Sequence, residues 1–322
     1  MSAAAVQTVV DFGGEEILSL LERTERRMTE LVGSHGELLA RHGGQTIAAG
    51  GKRLRPLLVF LAAGAPPPDT DGLLGAAVAV ELIHGATLIH DDVLDGSPLR
   101  RGRPTVFATA GRSMAVATGD LLFSRAFAEL AATGSVEAVR ILSHATRELA
   151  AGEVMQRADA FAAELGIERY LERCRLKTAV LFRAACELGA LQSDGPAAAL
   201  AAFGEQIGLA FQILDDVLDV TGPPERTGKP RGADLLDGTV TLPLIVARRR
   251  DPAIGRLDLR DVSTPEEAAQ LCDRIAATEA LEDARSHALE LVQRAKAALP
   301  ELPQRQRVAL ELVADGVVER YT

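Results

Sequence analysis

Apolar residues recur at three- and four-residue intervals through almost the whole chain, and nowhere do apolar and polar residues alternate over several positions. That period belongs to helices with one buried face, so the sequence predicts an all-α fold. Residues 15–32 set the pattern, with Ile17, Leu20, Leu21, Met28, Leu31 and Val32 separated by charged residues. The same spacing predicts helices over about 37–49, 55–64, 71–95, 114–132, 136–158, 168–191, 197–220, 239–250, 265–276, 281–298 and 304–319. Glycine and proline separate these stretches, at Gly50-Gly51, Gly96 to Pro104, Gly195-Pro196 and Gly222 to Gly232. Only 3% of the residues are aromatic, so the core has to be built from Ala, Leu, Val and Ile, which suits close-packed helices better than a β-sandwich. At about 150 residues per domain, 322 residues would suggest two domains, but no break is long enough for a linker.

The net charge of −10 argues against a general polyanion binder such as a nucleic-acid protein, without excluding a local basic pocket. Three cysteines, Cys174, Cys186 and Cys272, lack metal-site spacing, and their odd number fits no disulfide framework. A reducing, cytoplasmic setting is the simplest one. The first residues, MSAAAVQTVVDFGGEE, have no basic region before their apolar stretch and do not read as a signal peptide. The most apolar window, from Leu73 to His90, is interrupted by Glu81 and His84 and reads as a buried helix rather than a membrane span.

One pentapeptide occurs twice. Asp-Asp-Val-Leu-Asp fills 91–95 and again 215–219, 124 residues apart, each time closing a long apolar run before a Gly/Pro loop. On a helix, positions i and i+4 share a face, which groups Asp91 with Asp95 and Asp215 with Asp219, with Asp92 and Asp216 beside them. Such a cluster is destabilising unless something positive sits on it. Oxygen-only donors suit Mg²⁺, which takes carboxylates together with substrate phosphates. A single cluster would read as a solvated acidic face. Two identical clusters at the mouths of apolar runs point to metal.

Basic residues flank both clusters. Lys52, Arg53 and Arg55 follow Gly50-Gly51, Arg100 and Arg101 follow the first motif, Lys177-Thr178 lies mid-helix and Lys229 follows the second motif. Each alone would read as surface solubility. Together, in an acidic chain, they fit a pocket for metal-chelated diphosphate, because Arg and Lys both suit phosphate oxygens.

From about residue 45 to 245 the chain resembles the trans-isoprenyl (polyprenyl) diphosphate synthase family, in the manner of bacterial medium- and long-chain members. The resemblance rests on GGKRLRP (50–56), ELIHGATLIHDDVLD (81–95), LRRGRPT (99–105), GDLL (119–122), GEVMQ (152–156), LKTA (176–179), FQILDDVLD (211–219) and GKPRGADLLDGTVTLP (228–243), in order. It implies one domain over 1–322: a large antiparallel helical bundle of the isoprenoid synthase fold around a central cavity, usually homodimeric. It implies condensation of isopentenyl diphosphate with an allylic diphosphate, using three Mg²⁺ per site and releasing pyrophosphate, with a possible peripheral membrane contact when product leaves. By position, Asp91, Asp92 and Asp95 would bind Mg²⁺ with the allylic diphosphate, and Asp215, Asp216 and Asp219 the remaining Mg²⁺. Lys52, Arg55, His84 and Arg101 match the isopentenyl diphosphate contacts. Arg100, Lys177, Thr178, Gln212 and Lys229 match the allylic diphosphate contacts. Thr239 departs from the family pattern, which often carries Lys there.

In the same family, bulky residues just before the first acidic motif floor the elongation tunnel. Here Ala86 and Thr87 stand there, so the tunnel is expected to be open, Ala86→Phe to shorten the product, and the product to exceed C20, in the C30–C50 range. Ile83, Phe123 or Phe127 could close the tunnel lower down. Alternatives are a geranylgeranyl (C20) synthase, a non-catalytic subunit of a heteromeric synthase, a class I terpene cyclase, and an HD-type phosphohydrolase suggested by His90-Asp91. The second DDVLD and the scarcity of aromatics count against the last two.

Overall fold

The computed structural model describes residues 3–13, 15–33, 37–48, 51–64, 70–100, 102–162, 164–222 and 230–319. They form an antiparallel helical bundle. The order is α1 (Ala3–Gly13), α2 (Glu15–Gly33), α3 (Glu37–Ala48), α4 (Leu54–Ala63), α5 (Asp71–Leu94), α6 (Val106–Ala132), α7 (Val136–Ala158), α8 (Ile167–Cys174), α9 (Val180–Leu191) and α10 (Ala197–Thr221). It continues with α11 (Ala233–Leu236), α12 (Leu242–Arg250), α13 (Pro252–Gly255), α14 (Pro265–Ala276), α15 (Ala280–Ala297) and α16 (Gln304–Glu319). The one strand pair among the described residues, Leu99–Arg100 against Arg103–Pro104, is a two-residue hairpin after α5.

Helix ends follow their chemistry. Thr105 caps α6 by accepting from the Ala108 N–H at 3.1 Å, and Ser135 caps α7 through Ala138 at 3.1 Å. Thr264 and Glu267 cap α14 reciprocally. The structure adds to the periodicity in several places. Helix α1 packs on α16, a contact that local patterning does not encode. Helix α6 starts at Val106 rather than about 114, and a kink at Gly111 (φ 82°) joins its two parts. The expected single helix over 168–191 is α8, a π-helical turn (Arg175–Ala179) and α9.

Helices α5 and α10 are the axis of the core: α5 packs on α4, α6 and α9, while α10 packs on α9, α15 and the π-turn. Leu73 and Ala76–Ile83 are buried, as are Ile207, Ala210, Ile213, Leu214 and Val217 on α10. Both helices are long and apolar enough to cross a membrane, but most of each apolar window is buried inside the bundle. Buried Glu81 is satisfied by Arg53, whose guanidinium also bonds Glu25 on α2 and the Ile47 carbonyl on α3 (2.8 Å). Arg53 is therefore a strut between helices. It holds a left-handed backbone (φ 45°) at the start of α4, which is uncommon for a residue with a side chain.

Candidate active site

Beyond Ile83, α5 stops being buried all round. His84, Thr87, Leu88, Asp91 and Asp95 fall at helical spacing on one half-buried stripe. That stripe carries the first acidic motif to the wall of a cleft. Asp91, Asp95, Arg100, Lys177, Thr178, Gln212, Asp215 and Asp216 line this one cleft, with Gln156, Arg173, Cys174, Asp234, Asp237 and Thr239. Residues 124 positions apart thus face each other, and Thr239 stands at the cleft as the alignment of motifs implied.

The members of each acidic triplet differ in environment. Asp92 is buried, 5% exposed, and Arg100 Nε donates to its Oδ1 at 2.7 Å, because the hairpin turns Arg100 back over the end of α5. Asp216 is buried, 3% exposed; Tyr170 Oη donates to its Oδ2 at 2.7 Å and Gln212 Nε2 to its Oδ1 at 2.7 Å. Thr178 Oγ1 in turn donates to Gln212 Oε1 at 2.6 Å. These contacts fit the grouping of Asp91 with Asp95 and of Asp215 with Asp219, and give Asp92 and Asp216 hydrogen-bonded surroundings of their own. A residue one position along a helix turns about 100° away, so the second aspartate of each motif is buried while the first and fifth share the more open face, although Asp216 still borders the cleft. Asp215 is exposed, and Asp219 Oδ2 accepts from the Asp234 N–H at 3.3 Å.

The electrostatics follow from burial. Burial lifts the Asp91 carboxyl above its ordinary range; Lys177 opposes this, while Glu153 and Asp95 add to it. Burial also raises Asp216, with Asp234 pushing the same way and the Tyr170 and Gln212 hydrogen bonds opposing. The cleft is acid-rich and favours a cation. Among the described residues, no three His, Cys, Asp or Glu side chains converge as a ready-made metal site.

Other expected residues lie elsewhere. Lys52, Arg55 and His84 are not in the lining of this cleft; Lys52 is exposed, and Arg55 stacks over the Phe182 ring at 4.7 Å. Arg101 and Lys229 fall outside the described residues. Ala86, expected to face an open tunnel, is fully buried, whereas Thr87 keeps some exposed surface. One residue of helical rotation makes the difference. Tyr170, Glu153 and Arg157 contact site residues, and Asp234 and Asp237 line the cleft; all five are absent from the expected set. Asp234 and Asp237 had a readable signal in their i, i+3 spacing; Tyr170 had none, since its role is set by the packing of α8 against α10.

Comparison with known proteins agrees with this geometry. The polyprenyl synthetase family matches residues 37–276. The chain is 40% identical over 291 residues, 88% of each chain, to heptaprenyl diphosphate synthase component 2 of Geobacillus stearothermophilus. It is 36% identical over 324 residues, 95% of this chain and 99% of the relative, to a short chain isoprenyl diphosphate synthase of Methanothermobacter thermautotrophicus. The crystal structure of a polyprenyl synthase from Caulobacter crescentus, complexed with calcium and isoprenyl diphosphate, superimposes with a TM-score of 0.91 at 37% identity, covering 100% of this chain and 98% of that one. The match spans both acidic motifs and every element that lines the cleft, so the chain belongs to the polyprenyl synthetase family and is a trans-prenyltransferase.

Proposed function

We propose that the protein condenses isopentenyl diphosphate with an allylic diphosphate to build an all-trans polyprenyl diphosphate longer than C20. The observation that carries this reading is the meeting of Asp91 and Asp95 from α5 with Asp215 from α10 in one cleft that also holds Arg100, Lys177, Thr178 and Gln212. Oxygen-only donors on two walls fit Mg²⁺, which completes its shell with water and substrate oxygens. Asp91, Asp95, Asp215 and Asp219 would hold it, while Asp92 and Asp216 orient their neighbours. Bound there, Mg²⁺ supplies charge stabilisation to the departing pyrophosphate.

The chain's own residues do the rest. Arg100, Lys177 and Thr178 bind the allylic diphosphate, with Gln212 linking Thr178 to Asp216. Lys52, Arg55 and His84, with Arg101, take the isopentenyl diphosphate; His84 shares the half-buried stripe with Asp91. Cationic side chains offset the negative charge as the allylic C–O bond breaks, an electrostatic contribution of several kcal/mol (about 3) per well-placed donor. The isopentenyl double bond then attacks the allylic cation. Pyrophosphate takes the proton lost from that unit. Aliphatic walls keep water from the cation.

A product beyond C20 is supported by the absence of an aromatic at 87 and by the name of the Geobacillus relative. We place the reaction in the cytoplasm, in a homodimer of single-domain chains, with peripheral membrane contact at product release. The word "component" in that relative's name favours one second reading, a heteromer in which this chain is one subunit. Pure protein, Mg²⁺, labelled isopentenyl diphosphate and each C5–C20 starter, followed by mass spectrometry, test both. Products above C20 support the proposal. Arrest at C20 makes the protein a geranylgeranyl synthase, and no product without a second chain favours the heteromer. Chelating the metal should abolish turnover and leave the helical circular dichroism unchanged, because the core is held by apolar packing.

A further inference from the structure

Four alternating charges link two residues of the cleft lining, Asp95 and Lys177, through α7. Arg157 Nη2 donates to Asp95 Oδ1 at 2.6 Å, Arg157 Nε donates to Glu153 Oε1 at 2.9 Å, and Lys177 Nζ lies 2.6 Å from Glu153 Oε2. Glu153 and Arg157 are one turn apart on α7, while Asp95 ends α5 and Lys177 sits in the π-turn. Two groups with roles in the site, the metal-facing Asp95 and the diphosphate-facing Lys177, are therefore each engaged by an α7 side chain of opposite charge.

We propose that Glu153 and Arg157 are a built-in counter-ion pair that competes with the metal for Asp95 and with diphosphate for Lys177, and so sets how much of each is needed to fill the site. This rests on the reading that the two acidic motifs bind metal-chelated diphosphate. The physical reason is charge exchange. A cation can take Asp95 only as Arg157 lets go, and a phosphate can take Lys177 only as Glu153 lets go. Both displaced residues keep a partner, because Glu153 and Arg157 are already bonded to each other at i, i+4. Filling the site therefore leaves no charge stranded, and emptying it leaves neither Asp95 nor Lys177 without a counter-ion. The pair acts on the ligands through Asp95 and Lys177, as positioning residues.

The test is direct binding, read without turnover. Mn²⁺ is titrated by electron paramagnetic resonance, with and without inorganic pyrophosphate, and pyrophosphate alone is titrated by calorimetry. Arg157→Gln should bind Mn²⁺ roughly threefold more tightly than wild type, the size expected for a partly exposed ion pair. Arg157→Lys should return toward wild type. Glu153→Gln should bind metal-free pyrophosphate roughly threefold more tightly and should not tighten Mn²⁺, since Arg157 is then left to Asp95. Arg140→Gln, an exposed site near the other end of α7, controls for net charge and should change neither. A residue that only braces the fold would weaken both ligands when replaced. Unchanged or weaker Mn²⁺ binding by Arg157→Gln, or tightening equal to that of Arg140→Gln, would overturn the inference while leaving the proposed function intact. Absence of Mn²⁺–pyrophosphate binding by the wild type would overturn both.

Discussion

Asp91 combines burial with acidic neighbours, and each of these disfavours its charged form in the absence of a cation. Asp215 faces it from α10 with more solvent around it. Asp91→Ala and Asp215→Ala should each lower turnover at least about 100-fold, the scale of losing one preorganised charge contact at a leaving group; near-normal rates in a steady-state assay would refute their place at the metal. Tyr170→Phe is different in kind. It removes the hydroxyl that bonds Asp216 Oδ2, so urea unfolding should register a loss of about 1 kcal/mol. The cysteines give a residue-scale check on packing. All three are buried, and burial pushes the Cys186 and Cys272 thiols up to about 12 and raises Cys174 as well. The native protein at pH 8 should therefore present no thiol to an aromatic disulfide reagent, and the denatured chain all three.

At the scale of elements, the site depends on how closely helices approach. A Cβ at Gly152 would lie 2.8 Å from the Lys177 backbone nitrogen and 2.9 Å from Leu176, so only glycine lets α7 seat against the π-turn. The π-turn is itself a local widening of the helix that turns Lys177 and Thr178 toward the cleft. Gly152→Ala should shift α7 and Lys177 apart, lowering kcat/KM for the allylic substrate more than tenfold in initial-rate kinetics. Gly189 plays the same part away from the site. A Cβ there would lie 2.0 Å from the Val59 carbonyl oxygen on α4. Gly189→Ala should therefore destabilise the protein by about 1–3 kcal/mol through overpacking, seen as a lower melting temperature, with any activity loss following unfolding.

Taken whole, the molecule is two long helices, α5 and α10, whose acidic ends are aimed at one space by the bundle around them. On the proposed reading the hydrocarbon product would grow alongside α5, where His84, Thr87 and Leu88 form the half-buried stripe. Thr87→Phe should shorten the product by at least one isoprene unit in mass-spectrometric analysis. Ala86→Phe should instead overpack the core, costing about 1–3 kcal/mol, because Ala86 has no exposed surface. The sequence by itself determined the all-helical fold, since a three-to-four-residue apolar period admits no other element, and its repeated Asp-Asp-Val-Leu-Asp with flanking Lys and Arg already named the chemistry. Spacing on one helix also foretold which aspartates share a face. Tertiary structure alone decided the rest: that Asp92 and Asp216 turn inward to Arg100 and Tyr170, that Arg53 is a strut, that the helix at Lys177 widens, and that Glu153 and Arg157 reach Lys177 and Asp95. Most of those facts join residues tens of positions apart, and periodicity is a local property that says which side of a helix is buried but not what it is buried against.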